Sequence, residues 1–287
     1  MKYEERAIVL DCRGSKLPAI VSLPSEPLAR GVLVVVGGPQ YRAGSHRQFT
    51  LLCRALADGG IAAMRFDYRG MGDAEGEART FDSVDEDIGA AIDGFIAAVP
   101  ALTEVVIWGL CDAASAAVFY APADSRVSGV VLLNPWVRDP TTMARTQLRH
   151  YYWSRVSDRE LWRRILHGEF DARASIRSLA GIVRAAVRPN RSAGGEPGQR
   201  KPDAVPLAAR MADRLGKFRG RVLLVLSGRD LTAREFEDVA AGSRRWRSLL
   251  TAARVERRAL PEADHTFSRR EWRDQVAVWT VAWMRSW

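Results

Sequence analysis

The pentapeptide GLCDA, residues 109–113, largely determines the fold because it joins a buried strand to a helix. Before it, Val105–Trp108 is a short run of apolar, mostly β-branched residues, which predicts a strand inside a sheet. After it, Asp112–Ala121 is rich in alanine and is followed by proline, which predicts a short helix. The glycine and alanine at the ends of the pentapeptide let the strand and helix backbones approach closely. Cys111 is therefore expected at a sharp turn after the carboxyl end of a strand.

The alternation of strands and helices extends in both directions along the chain. Apolar runs bounded by turn residues predict further strands at 32–36, 61–66, 130–133, 221–227 and 254–260. Capping-box patterns predict helices that begin at Ser45, Ser83 and Ser268. The leading segments 6–10 and 17–23 are expected to pair as an antiparallel hairpin at the sheet edge. These features predict an α/β protein with a mostly parallel central sheet and helices on both faces.

Residues 137–219 interrupt this alternation and are predicted to form a helical lid, which leaves a core of 1–136 and 220–287. Within the lid, the stretch near 189–206 is rich in Gly, Pro and charge and predicts a flexible loop. Residues 138–221 hold 19 Lys and Arg but 8 Asp and Glu, a net charge of +11, whereas the remainder holds 24 basic and 26 acidic residues. Such an excess attracts acidic partners, although a compositional preference for Arg would produce the same count.

Cys111 is a candidate nucleophile because the pattern G-x-C-x-A stands at a strand-to-helix turn, as in a nucleophile elbow. The N-terminus of a helix favours a thiolate, whereas the neighbouring Asp112 opposes it. The thiolate is therefore expected to depend on an imidazolium partner. The alternative is a buried cysteine with a structural role.

In nucleophile-elbow enzymes the acid and the histidine follow the nucleophile in chain order. His265 follows the last predicted strand and precedes the last helix, which is the position of the general base. Asp230 ends the preceding strand segment and is expected to orient the imidazole, with Asp139 as the alternative acid. The other histidines after the nucleophile, His150 and His167, fall in predicted lid helices and are expected on the surface.

An oxyanion hole needs two N–H donors directed at the developing negative charge. One is expected to be the backbone amide of Asp112, directly after the nucleophile. The second should come from the loop that follows Val36. Pro39 has no N–H, so Gly38 or Gln40 must supply it, and Gln40 is preferred.

The composition excludes several other classes of protein. Cys12, Cys53 and Cys111 show no paired spacing, so neither disulfides nor a metal site are expected, and no cofactor is predicted. The N-terminus lacks an apolar core of signal-peptide length, and no apolar run approaches the roughly 20 residues of a membrane helix. We expect a cytoplasmic protein without a transmembrane segment. The basic segment carries no nucleic-acid reader motif, so nucleic-acid binding is not expected.

The strings GGPQYRAGSHRQF, MRFDYRGMGDAEG, WGLCDAAS, VVLLNPWVR and LRHYYWSR together resemble one family. It is the first type of exosortase A system-associated hydrolase, a branch of the α/β-hydrolase superfamily. The resemblance covers residues 5–285 and is weakest at Pro189–Pro206. It implies an α/β-hydrolase fold, a bacterial protein encoded beside exopolysaccharide and protein-sorting genes, and a cysteine nucleophile that matches Cys111. It implies no particular substrate.

These residues predict acyl transfer through a Cys-His-Asp triad and an acyl-thioenzyme intermediate, with an ester or thioester as the small-molecule substrate. Hydrolysis is the default outcome. Transfer from coenzyme A or from a carrier-bound acyl group is the alternative, because the basic lid could hold phosphates. A third possibility is a non-catalytic partner protein that keeps the fold and docks through the lid. The sequence does not specify an oligomeric state.

Overall fold

The structure, a computed structural model, describes residues 3–38, 40–138 and 205–287. Its strands are β1 (Tyr3–Cys12), β2 (Ser15–Pro24), β3 (Arg30–Val35), β4 (Ala63–Phe66), β5 (Glu104–Leu110), β6 (Val127–Leu133), β7 (Arg221–Ser227) and β8 (Val255–Leu260). Its α-helices are α1 (Gln48–Asp58), α2 (Asp85–Ala98), α3 (Asp112–Tyr120), α4 (Leu207–Lys217), α5 (Leu231–Gly242), α6 (Arg244–Leu250) and α7 (Arg270–Met284). Among the residues described, no helix is long and apolar enough to cross a membrane.

The strands form one sheet in the order β1-β2-β4-β3-β5-β6-β7-β8. The β1–β2 hairpin is antiparallel and attaches antiparallel to β4, whereas β4 through β8 run parallel to one another. This topology confirms the mostly parallel sheet and the antiparallel edge hairpin. The carboxyl ends of β3 and β5 to β8 meet at one edge of the sheet, and the loops that leave this edge carry the candidate site residues.

Both faces of the central strands are covered. All residues of β4, and all but the first residue of β3, β5 and β7, are buried. Successive side chains in a strand point to opposite faces, so burial of every position requires packing on both sides. The continuous apolar runs in the sequence follow from this requirement.

The chain divides into two units, residues 1–137 with 208–287 and residues 138–207. The second part of the core therefore begins at Ala208, twelve residues before the predicted boundary at 220. The reason is the apolar face of α4, where Met211 and Leu215 are buried. The indole Nε1 of Trp246 also donates to the carbonyl of Ala208 at 2.9 Å. The lid expected at 137–219 and its loop near 189–206 lie largely outside the described residues.

None of the three predicted capping boxes forms, although a helix follows each of the three serines. None of α1, α2 and α7 has a side-chain hydrogen bond at its N-cap. Ser45 instead pairs with the side chain of Gln40, Ser83 donates to the carbonyl of Thr80, and Ser268 donates to Asp264. Loop partners therefore take these hydroxyls, and the helices begin two or three residues later.

Candidate active site

Cys111 stands alone between β5 and α3 with a backbone φ of 62°. A positive φ is uncommon for a residue with a side chain, and such strain persists only where surrounding contacts impose it. Here the Cys111 N–H donates to the carbonyl of Leu133 at 2.9 Å, and its carbonyl accepts from Trp136 N–H at 3.1 Å. These bonds tie the turn to the end of β6 and to the residues that follow it. The predicted elbow conformation is therefore present.

Two glycines make this turn sterically possible. A Cβ on Gly109 would lie 2.5 Å from the carbonyl of Ala113, which is backbone of α3 and cannot move aside. A Cβ on Gly37, after β3, would collide with the carboxylate of Asp112. The close approach predicted from the small residues of the pentapeptide is thus observed.

His265 lies in the loop between β8 and α7, and Asp230 in the loop after β7. The Nδ1 atom of His265 is 2.9 Å from Oδ2 of Asp230. The same carboxylate caps α5, because it accepts the amides of Thr232 at 3.2 Å and Ala233 at 3.0 Å. Asp230 is therefore fixed from two sides, whereas the alternative acid, Asp139, lies outside the described residues.

The side chain of Cys111 lies near enough to His265 to raise the pKa of the imidazole, so the structure brings all three predicted residues together. Since Nδ1 faces Asp230, Nε2 is the nitrogen left for the sulfur. The hydrogen bond to Asp230, followed by the effect of the nearby Cys111 side chain, raises the pKa of His265 to about 10 against the opposing effect of burial. Burial opposes ionisation of Asp230, but the bond to His265 and the two amides of α5 hold its pKa below the ordinary value. At neutral pH the pair is an imidazolium and a carboxylate.

Asn134 is a buried residue at this site that the sequence reasoning missed. Its side-chain amide donates to Ser227 Oγ at 2.7 Å and to the carbonyl of His265 at 3.1 Å, and its Oδ1 accepts Ser227 N–H at 2.9 Å. It thereby joins the end of β6 to the end of β7 and to the histidine loop. The available signal was an Asn-Pro pair directly after a buried strand, since Asn tolerates the positive φ of 43° found here.

Two of the predicted oxyanion donors are occupied. Gly38 N–H donates to Oδ2 of Asp112 at 3.0 Å, and Gln40 N–H donates to the carbonyl of Gly38 at 2.8 Å. In the described part of the chain, no group of His, Cys, Asp and Glu side chains could hold a metal ion.

Residues 32–278 match the model of the family described as the alpha/beta hydrolase family. The chain belongs to the α/β hydrolase family. Membership confirms the predicted α/β-hydrolase fold.

Several solved structures share this fold. An esterase from Pyrococcus furiosus has a TM-score of 0.65 and 12% identity, over 99% of this chain and 92% of that one. Est1E from Butyrivibrio proteoclasticus, bound to ferulic acid, has a TM-score of 0.62 and 16% identity, over 97% of this chain and 98% of that one. A dienelactone hydrolase from Anabaena variabilis has a TM-score of 0.58 and 14% identity, over 99% of this chain and 98% of that one. A search of curated proteins finds no match.

Proposed function

We propose that the protein hydrolyses an ester or thioester, with Cys111 as the nucleophile, His265 as the general base and acid, and Asp230 as the residue that orients the imidazole. One arrangement carries the proposal: a cysteine at the strained elbow lies near enough to a histidine to raise its pKa, and Nδ1 of that histidine meets a buried carboxylate at 2.9 Å. A structural cysteine needs neither partner. The two other cysteines, Cys12 and Cys53, are buried, whereas Cys111 is partly accessible.

The ionisation of the pair suits a sulfur nucleophile. With a pKa of about 10, His265 is protonated at neutral pH, and an imidazolium beside a cysteine favours the thiolate. The sulfur attacks the carbonyl carbon, the carbonyl π electrons move to oxygen, and a carbon–sulfur bond forms. As the tetrahedral intermediate collapses, the bond to the leaving alkoxide or thiolate breaks and His265 Nε2 supplies its proton.

The second half of the reaction returns the enzyme to its starting state. Neutral His265 removes a proton from water, and the resulting hydroxide attacks the acyl-thioenzyme carbonyl. The carbon–sulfur bond then breaks, the carboxylic acid leaves, and the thiolate again faces an imidazolium. The backbone amides of Asp112 and of Gly38 or Gln40 would stabilise the oxyanion in both halves.

The similar solved structures and the charge distribution of the chain indicate which class of substrate to expect. The solved structures named above include two proteins described as an esterase and a dienelactone hydrolase, which supports a carbonyl substrate. The net charge of +11 in residues 138–221 favours, as a second candidate, acyl transfer from coenzyme A or from a phosphorylated carrier. The quoted strings also support a place in the exosortase-associated branch, which leaves the acyl group unspecified.

Incubation with a panel of acyl esters and acyl thioesters tests the proposal, with intact mass spectrometry and product analysis as readouts. We expect an adduct on Cys111 and turnover, both abolished in a folded Cys111→Ala variant. Cys12→Ala is the matched control, because that thiol is buried and should not react. Turnover that survives in Cys111→Ala would contradict the proposal, and an unreactive Cys111 would favour a non-catalytic partner. Acyl transfer to an added thiol in preference to water would favour the second candidate.

A further inference from the structure

The carboxylate of Asp112 accepts the N–H of Gly38, one of the groups predicted to serve the oxyanion. It accepts hydrogen bonds from Gly38 N–H at 3.0 Å and from Ala113 N–H at 3.1 Å. Two amides from two separate segments, the loop after β3 and the start of α3, therefore converge on one internal anion.

The surroundings explain why this side chain is held there. Gly37 has no side chain, and the space that its Cβ would fill is taken by the Asp112 carboxylate. Burial raises the pKa of Asp112 above its ordinary value, and the amides of Gly38 and Ala113 and the nearby charge of His265 offset only part of that increase. Tyr68 also lies near this carboxylate, because burial and then the charge of Asp112 raise the pKa of Tyr68. The amides and His265 thus replace part of the water that an exposed carboxylate would have.

We propose that the Asp112 carboxylate fills the oxyanion hole of the resting protein, and that a substrate carbonyl must displace it before Cys111 can react. The inference rests on the proposed function. The carboxylate and the carbonyl oxygen compete for the same donors, so only the fraction of molecules with Asp112 rotated away is competent. The apparent affinity for substrate falls by that fraction.

Removal of the side chain should expose the hole without altering its backbone donors. In Asp112→Ala we expect acylation of Cys111 by a small acyl thioester to be about tenfold faster or more, since hydrogen bonds to a charged acceptor are roughly twice as strong as neutral ones. Asp112→Asn should be intermediate, because its neutral amide oxygen is a weaker competitor of the same size. Asp93→Ala, which removes an exposed carboxylate paired with Arg126, is the control and should leave the rate unchanged.

A second readout does not depend on catalysis. The emptied hole in Asp112→Ala should bind acetate, used here as a probe anion, and acetate should raise the melting temperature of this variant. The wild type and Asp93→Ala should show no such increase when sodium chloride keeps the ionic strength constant.

The outcomes separate this inference from the proposed function. Unchanged or slower acylation in a folded Asp112→Ala overturns the inference while leaving Cys111 as the nucleophile, and Asp112 would then only stabilise the N-terminus of α3. If neither the wild type nor any variant is acylated, the proposed function fails. Acetate binding alone then decides whether the Asp112 carboxylate fills the oxyanion hole. An absence of acetate stabilisation in that case overturns the inference as well.

Discussion

At the scale of single residues, His265 links the candidate site to stability. Its pKa is about 10 in the folded protein, against about 6.5 for an unperturbed histidine. A group whose pKa is raised on folding stabilises the protein fully when the pH is below its pKa in the unfolded state. That stabilisation is lost as the pH rises through its pKa in the folded state. The contribution of His265 should therefore be complete below about pH 6.5 and disappear progressively towards about pH 10.

Urea denaturation between pH 6 and 10 measures this contribution when the wild type is compared with His265→Gln. We expect the difference in unfolding free energy between them to shrink as pH rises. Asp230→Asn should also flatten the pH dependence, and asparagine can still cap α5, so the helix itself should persist. Parallel curves for the wild type and both variants would refute the assignment.

Asn134 offers a second test at this scale. Asn134→Ala would leave the N–H of Ser227 buried without its acceptor, which costs about 1–3 kcal/mol. Alanine would also be strained at the positive φ of 43°. Asn134→Gly removes the same hydrogen bonds but tolerates the backbone, so it should be the more stable of the two variants.

Both Asn134 variants should lower kcat more than they raise KM, because the loop that carries His265 loses its anchor to β6. Denaturation midpoints and steady-state kinetics provide the measurements. A folded Asn134→Gly with wild-type kcat would show that the other contacts of this loop are sufficient.

At the scale of elements, strands were predictable and helix starts were not. The run Val105–Trp108 predicted β5, and the structure extends it to Glu104–Leu110, because continuous burial leaves a continuous apolar pattern. A capping box, in contrast, requires the serine hydroxyl to lack a better partner. Ser268 donates to Asp264, a residue of its own loop, and that choice depends on loop geometry absent from the sequence pattern.

The candidate site divides in the same way. Cys111, Asp230 and His265 were predictable because each follows a strand of a parallel sheet, and chain order then fixes which ends meet. The role of Asn134 was not predictable, since it depends on the distance between three chain segments. The position of the Asp112 carboxylate was also beyond prediction, because it requires knowing that Gly37 and Gly38 pass directly beside α3.

At the scale of the whole molecule, the charge distribution gives a prediction about substrate encounter. Residues 138–221 carry a net charge of +11, and salt screens such a field over about 10 Å at 0.1 M ionic strength. For a substrate linked to coenzyme A or to an acidic carrier, kcat/KM should fall as salt rises. For a small neutral ester it should barely change, which makes that ester the internal control.

Replacement of Arg163 and Arg164 by Gln should reduce kcat/KM for the anionic class alone if these residues contribute to the attraction. Rates measured from low to high sodium chloride provide the readout. Equal salt dependence for both substrate classes would assign the basic residues to a solvated surface without a steering role.

The bonds among the ends of β5, β6, β7 and the histidine loop have a further consequence for the entropy of catalysis. Cys111 is held by Leu133 and Trp136, while Asn134 holds Ser227 and the backbone of His265. The backbone segments that carry Cys111 and His265 are thus brought into register once, when the chain folds. Under the proposed function, an encounter with substrate then costs these segments no further conformational freedom, which is the advantage of a preorganised site.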